Sequence, residues 1–390
     1  MMKKKPLSIY IHIPFCVKKC NYCDFLSGPA TNETKARYIE TLKDEIDSYK
    51  DLATKYEIYS IFIGGGTPSS IDAIYIKEIM EHVKTTFYLV DTNQIEITIE
   101  INPGTIDREK LETYYHCGVN RISFGLQSAN NEELKMLGRI HTFEEFVANY
   151  EMAREIGFQN INIDLMSALP GQTMKSYLNT LEQVMALRPE HISAYSLIIE
   201  EGTPFYELYG RESKLEPTLR LPTEDEDREM YEKTKSILHA HGYERYEISN
   251  YAKQGYECKH NCVYWQRGDY LGLGTGAASL LEEKRFHNTN EMDTYVKKIR
   301  NHRMDELHED VEVLDERSQM EEFMFLGLRM MKGVSKEKFY QTFGKQIEEV
   351  YGNILSKMTE QKLLVEKKGF IALTEEGINI SNYVMSEFLQ

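Results

Sequence analysis

Six short β-rich runs alternate with helix-patterned segments in the first 200 residues, and this alternation constrains the fold more than any other feature. The runs cover residues 8–13, 59–63, 95–101, 121–124, 160–165 and 191–197. Between several of them apolar residues recur at helical spacing. One such set is Tyr38, Leu42, Ile46 and Tyr49. A second is Phe143, Phe146, Val147 and Tyr150, closed by Gly157, and a third is Tyr177, Leu178, Leu181 and Met185. Strand–helix alternation argues for a parallel sheet in an α/β fold. Six units make a partial (β/α)6 TIM-type barrel, open on one side. Functional residues are expected at the C-terminal strand ends and in the βα loops.

The pattern breaks after residue 200. Pro204, Pro217 and Pro222 punctuate an irregular stretch, and a helix begins at Thr223, with Glu226 completing a capping box. Residues 243–279, rich in aromatics and glycine, read as strands and loops. From about residue 313 the pattern is mostly helical, with a short hairpin of 363–366 against 370–373 and Gly369 near its turn. That order suits a winged-helix-like module. The expected organisation is a barrel over 1–200, a barrel-closing extension over 201–312 and a C-terminal helical module over 313–390. Neither a repeat of fixed period nor a low-complexity tract is visible.

Composition narrows the function classes. Hydrophobic residues make up 41% and charged residues 28%, as in an ordinary globular protein, and the formal net charge is −16. That acidity speaks against nucleic acid as the main partner, because phosphate binding needs concentrated Lys and Arg. It also weighs against DNA binding by the winged-helix-like module. No apolar stretch is long enough to span a bilayer. The basic start, Met-Met-Lys-Lys-Lys-Pro, looks like the charged end of a signal peptide. The apolar run behind it is short and meets Cys16 at once, so no targeting segment is expected and the chain is placed in the cytoplasm. Six cysteines there point to metal ligands or core residues rather than disulfides.

The sharpest motif is Cys16-Val-Lys-Lys-Cys20-Asn-Tyr-Cys23, directly after the first strand. It supplies three thiolates in one short loop. Fe–S clusters require thiolate ligation, and three ligands to a four-iron cubane leave one iron open to a methionine moiety. Structural zinc is the alternative, but it normally takes four ligands and no second close pair lies nearby. Three incidental core cysteines are the other. The loop resembles the CxxxCxxC signature of the radical-SAM superfamily. More narrowly, Tyr10-Ile-His-Ile-Pro-Phe-Cys16 and Asn21-Tyr-Cys-Asp-Phe25 resemble the family that contains oxygen-independent coproporphyrinogen III oxidase and a haem chaperone. The resemblance runs along nearly the whole chain. It implies a [4Fe–4S] cluster on Cys16, Cys20 and Cys23 and bound S-adenosylmethionine (SAM), which such enzymes cleave to a 5′-deoxyadenosyl radical.

Further positions gain meaning from that resemblance. Gly64-Gly-Gly-Thr-Pro68 follows the second strand; alone it suits a tight strand-to-helix turn as well as a ligand. The family pattern puts Gly65, Gly66 and Thr67 at the amino group of SAM. Glu100, at the end of the third strand, is either a ribose acceptor or a solvated strand-end acid. Gln127, Arg139 and Asp164 occupy further family positions. Arg139 is suited to bidentate carboxylate binding, while Asp164 lies in an apolar run where an unpaired charge is costly, so a buried salt bridge also fits. The resemblance implies packing roles against SAM for Tyr10, Tyr22 and Ile198.

Two features divide the branches of this family. The oxidase branch reads CxxxCxxCxC, whereas here the last position is Phe25; it also carries a longer N-terminal extension, whereas 15 residues precede Cys16. His260-Asn-Cys-Val-Tyr-Trp265 resembles the HNxxYW motif of the haem-chaperone branch, and Trp265 is the chain's single tryptophan. His260, with Tyr264 and Trp265 beside it, is a candidate haem ligand with stacking partners, or else an ordinary packing histidine. Cys258 and Cys262 read as core cysteines. Gly272-Leu-Gly-Thr-Gly276 reads as a loop closing the barrel. The expected function is binding haem and passing it to membrane haemoproteins, with peripheral membrane association and a second copy of the chain as further candidate contacts. Oxidative decarboxylation of coproporphyrinogen III is the alternative, and a cluster protein that binds porphyrin without radical chemistry is a third.

Overall fold

The computed structural model describes residues 4–90 and 94–389; Met1–Lys3 of the basic start lie outside the described residues. Six parallel strands form the centre: β1 (Lys5–Ile13), β2 (Tyr56–Gly65), β3 (Glu96–Ile101), β4 (Arg121–Gln127), β5 (Ile161–Ser167) and β6 (His191–Ser196), side by side in chain order. The helices between them are α1 (Asn32–Ser48), α2 (Ala73–Thr86), α3 (Arg108–His116), α4 (Asn131–Met136), α5 (Phe143–Ile156) and α6 (Met174–Leu187). Their boundaries follow local chemistry. Thr142 and Glu145 form a capping box at the start of α5, and Gly157 ends it with φ 120°.

Strand alternation divides the sheet into two faces. On β4, Ile122, Phe124 and Leu126 enter the core beneath the helices, where they meet Phe146 and Tyr150 of α5. Ser123, Gly125 and Gln127 face the other way, into a cavity. β5 repeats this division, with Ile161, Ile163 and Leu165 in the core and Asp164 and Met166 at the cavity. Each fully buried Ile or Leu contributes about 1.5–3 kcal/mol, so a one-residue slip would be heavily penalised.

The sheet is wider than six strands. After α7 (Pro204–Tyr209), opened by Pro204, and α8 (Glu224–Ala240), capped by Thr223 and Glu226, the short strands β7 (Glu244–Arg245) and β8 (Asn250–Ala252) extend the β6 edge antiparallel. On the other side β9 (Tyr270–Leu273) pairs parallel with β1. β10 (Ala278–Leu281), β11 (Lys284–Asn288) and β12 (His308–Val313) then continue antiparallel, giving this sheet twelve strands among the described residues. Gly272 therefore lies in a strand rather than in the expected loop. A second departure is α9 (Lys259–Trp265), a helix inside the segment that reads as strands and loops.

The C-terminal part follows α10 (Met292–Arg300). It runs α11 (Glu316–Gly327), β13 (Val334–Ser335), α12 (Lys336–Phe343), α13 (Ile347–Glu360), β14 (Leu364–Lys367) and β15 (Phe370–Leu373), a winged-helix order with its own core around Met324, Phe339, Tyr351 and Phe388. The expected hairpin is β14–β15, and Gly369 turns it with φ 79°. No helix of the described residues is long and apolar enough to cross a membrane.

Candidate functional site

β1 delivers the chain directly into the cysteine loop. The Cys16 N–H donates to the Gly28 carbonyl (3.0 Å) and the Gly28 N–H to the Pro14 carbonyl (3.1 Å), closing the loop at its base. Asn21 clamps its far side. Its N–H donates to the Leu137 carbonyl (3.0 Å), its Nδ2 donates to the Met136 carbonyl (2.7 Å), and its own carbonyl accepts from the Phe205 N–H (2.9 Å). Cys16 and Cys20 are buried and Cys23 is partly so. The glycine turn after β2 passes under this loop. A Cβ on Gly66 would stand 3.0 Å from Cys16 Sγ and 2.8 Å from the Phe15 carbonyl oxygen, so only glycine permits the approach. Thr67 Oγ1 donates to Cys16 Sγ at 3.5 Å.

The loop roofs a cavity of about 470 Å³ at the C-terminal ends of the strands. Of the expected residues, Cys16, Cys20, Cys23, Tyr22, Gly65, Gly66, Thr67, Glu100, Gln127, Arg139, Asp164 and Ile198 all line it. Ile198 is 67% exposed, at its mouth. Sequence reasoning missed Asn102, Ser123, Ser193, Tyr195, Asn250 and Asn261 on the same wall. The signal was present for Ser123 on β4 and for Ser193 and Tyr195 on β6, where they alternate with buried apolar residues and their face is the cavity face.

The cavity is charged in a definite way. Burial, and then the neighbouring Asp164 carboxylate, push the Glu100 carboxyl up to about 8. Burial also raises Asp164, against hydrogen bonds that include one from Asn162 Nδ2 at 2.7 Å. Glu100 Oε2 accepts from the Gly65 N–H at 3.1 Å. Arg139 donates to Asn102 Oδ1 (2.6 Å) and to the Gly125 carbonyl, and its Nη1 lies 3.6 Å from Cys20 Sγ, yet its Nε–H finds no acceptor among the described residues. Two carboxyls that burial raises, with a guanidinium opposite, suit a zwitterion carrying an extra positive charge.

Tyr10 is placed elsewhere. It borders an adjoining cavity of about 480 Å³ with His12, Leu26, Tyr264 and Tyr270; the two cavities share Phe25, Gly65 and Glu100. The Tyr10 hydroxyl bonds to His12 Nδ1 at 2.9 Å.

Of the haem candidates, His260 and Tyr264 are brought together and Trp265 is directed elsewhere. His260 is buried, with Nδ1 on Ser60 Oγ (3.0 Å) and Nε2 on the Tyr264 hydroxyl (2.8 Å), so both ring nitrogens are occupied. Burial drives its pKa down to about 3 and keeps it neutral. Trp265 points to the C-terminal part, its ring 4.3 Å from the Arg329 guanidinium carbon. As placed, His260 is a satisfied interior histidine and offers no free nitrogen to iron.

Among the described residues, no group of three or more His, Cys, Asp or Glu converges on a point where one metal ion would sit. A single zinc needs that convergence. A cubane binds each thiolate on a different iron, so its sulfurs stand apart around one face. The donor set of Cys16, Cys20 and Cys23, the close glycine turn and the orphaned Arg139 Nε–H fit a cluster with SAM beside it.

Comparison with known proteins agrees. Residues 10–184 match the radical SAM superfamily and residues 314–380 the HemN C-terminal domain. The chain is 38% identical to the heme chaperone HemW of Lactococcus lactis, over 100% of this chain and 98% of that one. It is 36% identical to the heme chaperone HemW of Escherichia coli over the whole of both chains. In structure it is similar to the coproporphyrinogen III oxidase of Escherichia coli, a radical SAM enzyme, with a TM-score of 0.85 and 24% identity over 99% of this chain and 90% of the other. The chain belongs to the HemW family of the radical-SAM superfamily.

Proposed function

We propose that this protein is a haem chaperone that binds haem together with a [4Fe–4S] cluster and SAM and delivers the haem to haemoproteins. The whole-length match to heme chaperones carries this reading. The residue beside the third cysteine supports it: Phe25, 61% exposed, stands where the oxidase pattern has a cysteine and lines both cavities with apolar surface. Cys16, Cys20 and Cys23 hold the cluster, and Glu100, Asp164 and Arg139 orient SAM. Bound there, the pair supplies one-electron chemistry at a site the cysteine loop covers. Haem leaves to recipients at the membrane, which the protein meets peripherally.

The test is an anaerobic preparation assayed in two ways. It takes up haem, seen as a shifted absorption band at one haem per chain, and fails to convert coproporphyrinogen III to protoporphyrinogen IX. Robust turnover with SAM consumed in proportion would replace this reading with the oxidase.

A further inference from the structure

A crevice that shares no lining residue with either cavity lies between the end of α9 and the C-terminal part. It encloses about 340 Å³. Its walls are aromatic: Trp265 from α9, Phe323 from α11 and Phe370 from β15. The Arg329 guanidinium holds the Trp265 ring, and the indole N–H finds no acceptor among the described residues. Two cations border the crevice. Lys332 Nζ lies 4.6 Å from the Phe370 ring centroid, and Lys338 is a second lining residue. Three lysines of this part are paired, Lys336 with Glu348 and Glu366, Lys345 with Glu316 and Lys357 with Glu387. Lys332 and Lys338 have no carboxylate partner among the described residues. In a chain of net charge −16, two unpaired ammonium groups beside three aromatic rings form a local exception.

The occupant these features select is apolar, planar and dianionic. Flat aromatic faces stack on rings, and ammonium groups take carboxylates. Haem is a flat macrocycle with two propionate groups. The cavity under the cysteine loop, lined by Glu100 and Asp164, is the one assigned above to SAM. The same carboxyls favour cationic SAM. We propose that this crevice takes the haem, with the macrocycle against Trp265, Phe323 and Phe370 and its carboxylates on Lys332 and Lys338. The inference rests on the haem-chaperone reading and assigns its cargo to a site apart from the cluster.

The test titrates haem into the full chain, anaerobically reconstituted, with absorbance as the readout. Lys332→Glu combined with Lys338→Glu weakens haem binding at least tenfold, and the double Gln variant weakens it less. Iron and sulfide content and the thermal transition stay at wild-type values in both, since neither ammonium has an acidic partner among the described residues. Saturating SAM leaves haem affinity unchanged. If the wild-type chain takes up no haem, the chaperone reading falls and this inference with it. If wild type binds haem and the double Glu variant binds it equally well, or SAM displaces the haem, the crevice assignment is overturned while the chaperone reading stands.

Discussion

Glu100 shows at the residue scale how the cavity is tuned. Its carboxyl sits above the ordinary value of 4.5, at about 8, because burial and Asp164 both oppose ionisation. A carboxyl raised in the folded state favours folding while protonated, and that advantage is lost as pH climbs from about 4.5 through 8. Ligand-free protein should therefore lose thermal stability over that window, and Glu100→Gln should lose measurably less. Scanning calorimetry at pH 5 and pH 8 decides it; equal losses in both proteins would reject the argument. The cysteines separate more simply. Cys16→Ala, Cys20→Ala and Cys23→Ala should each lose most of about four irons and four sulfides per chain. Cys117→Ala should keep them, because Cys117 is a buried residue at the end of α3 whose thiol donates to the Tyr114 carbonyl. Full iron content in the three loop variants would remove the cluster assignment.

At the scale of elements, α9 decides what the HNxxYW motif does. Each helical residue turns about 100°, so His260 and Tyr264 lie about 40° apart and Trp265 about 140° from His260. One motif thus serves two places: His260 and Tyr264 face β2, and Trp265 faces the crevice. The helix forms although its sequence, Lys259–Trp265, is poor in strong helix formers. Glu96 supplies the reason. Its carboxylate accepts from the N–H groups of Lys259 (3.1 Å) and His260 (3.0 Å), satisfying donors that a helix start leaves open. Glu96→Ala should cost about 2–3 kcal/mol, since it leaves buried donors unpaired, and Glu96→Gln should cost less. Urea unfolding measures both, and a loss under about 0.5 kcal/mol for Glu96→Ala would show that water replaces the cap.

Across the whole molecule, the C-terminal part is joined to the sheet through charge. Buried Glu322 of α11 pairs with Arg267 (3.0 Å) and with Arg285 of β11 (2.5 Å), and Arg267 also pairs with Glu283. Removing one partner of a buried pair strands the other. Glu322→Ala should destabilise by about 3 kcal/mol. It should also give Trp265, the single tryptophan, an earlier fluorescence transition in denaturant than the helical circular-dichroism signal. Coincident, unshifted transitions would show that apolar packing alone holds the parts together.

The sequence by itself determined what depends on neighbours along the chain. The spacing of Cys16, Cys20 and Cys23, the run of strand–helix units, the Thr223 cap and the β14–β15 hairpin all belong here, because each is written within a few residues. Tertiary structure decided what depends on residues far apart in the chain. It sent Tyr10 to the adjoining cavity. It made 259–265 helical through Glu96, closed both ring nitrogens of His260 with Ser60 and Tyr264, and paired Gly272 into a strand beside β1. Propensity and periodicity record a residue's local cost, whereas a carboxylate more than 160 positions away can outweigh that cost once folding brings it to hydrogen-bond distance.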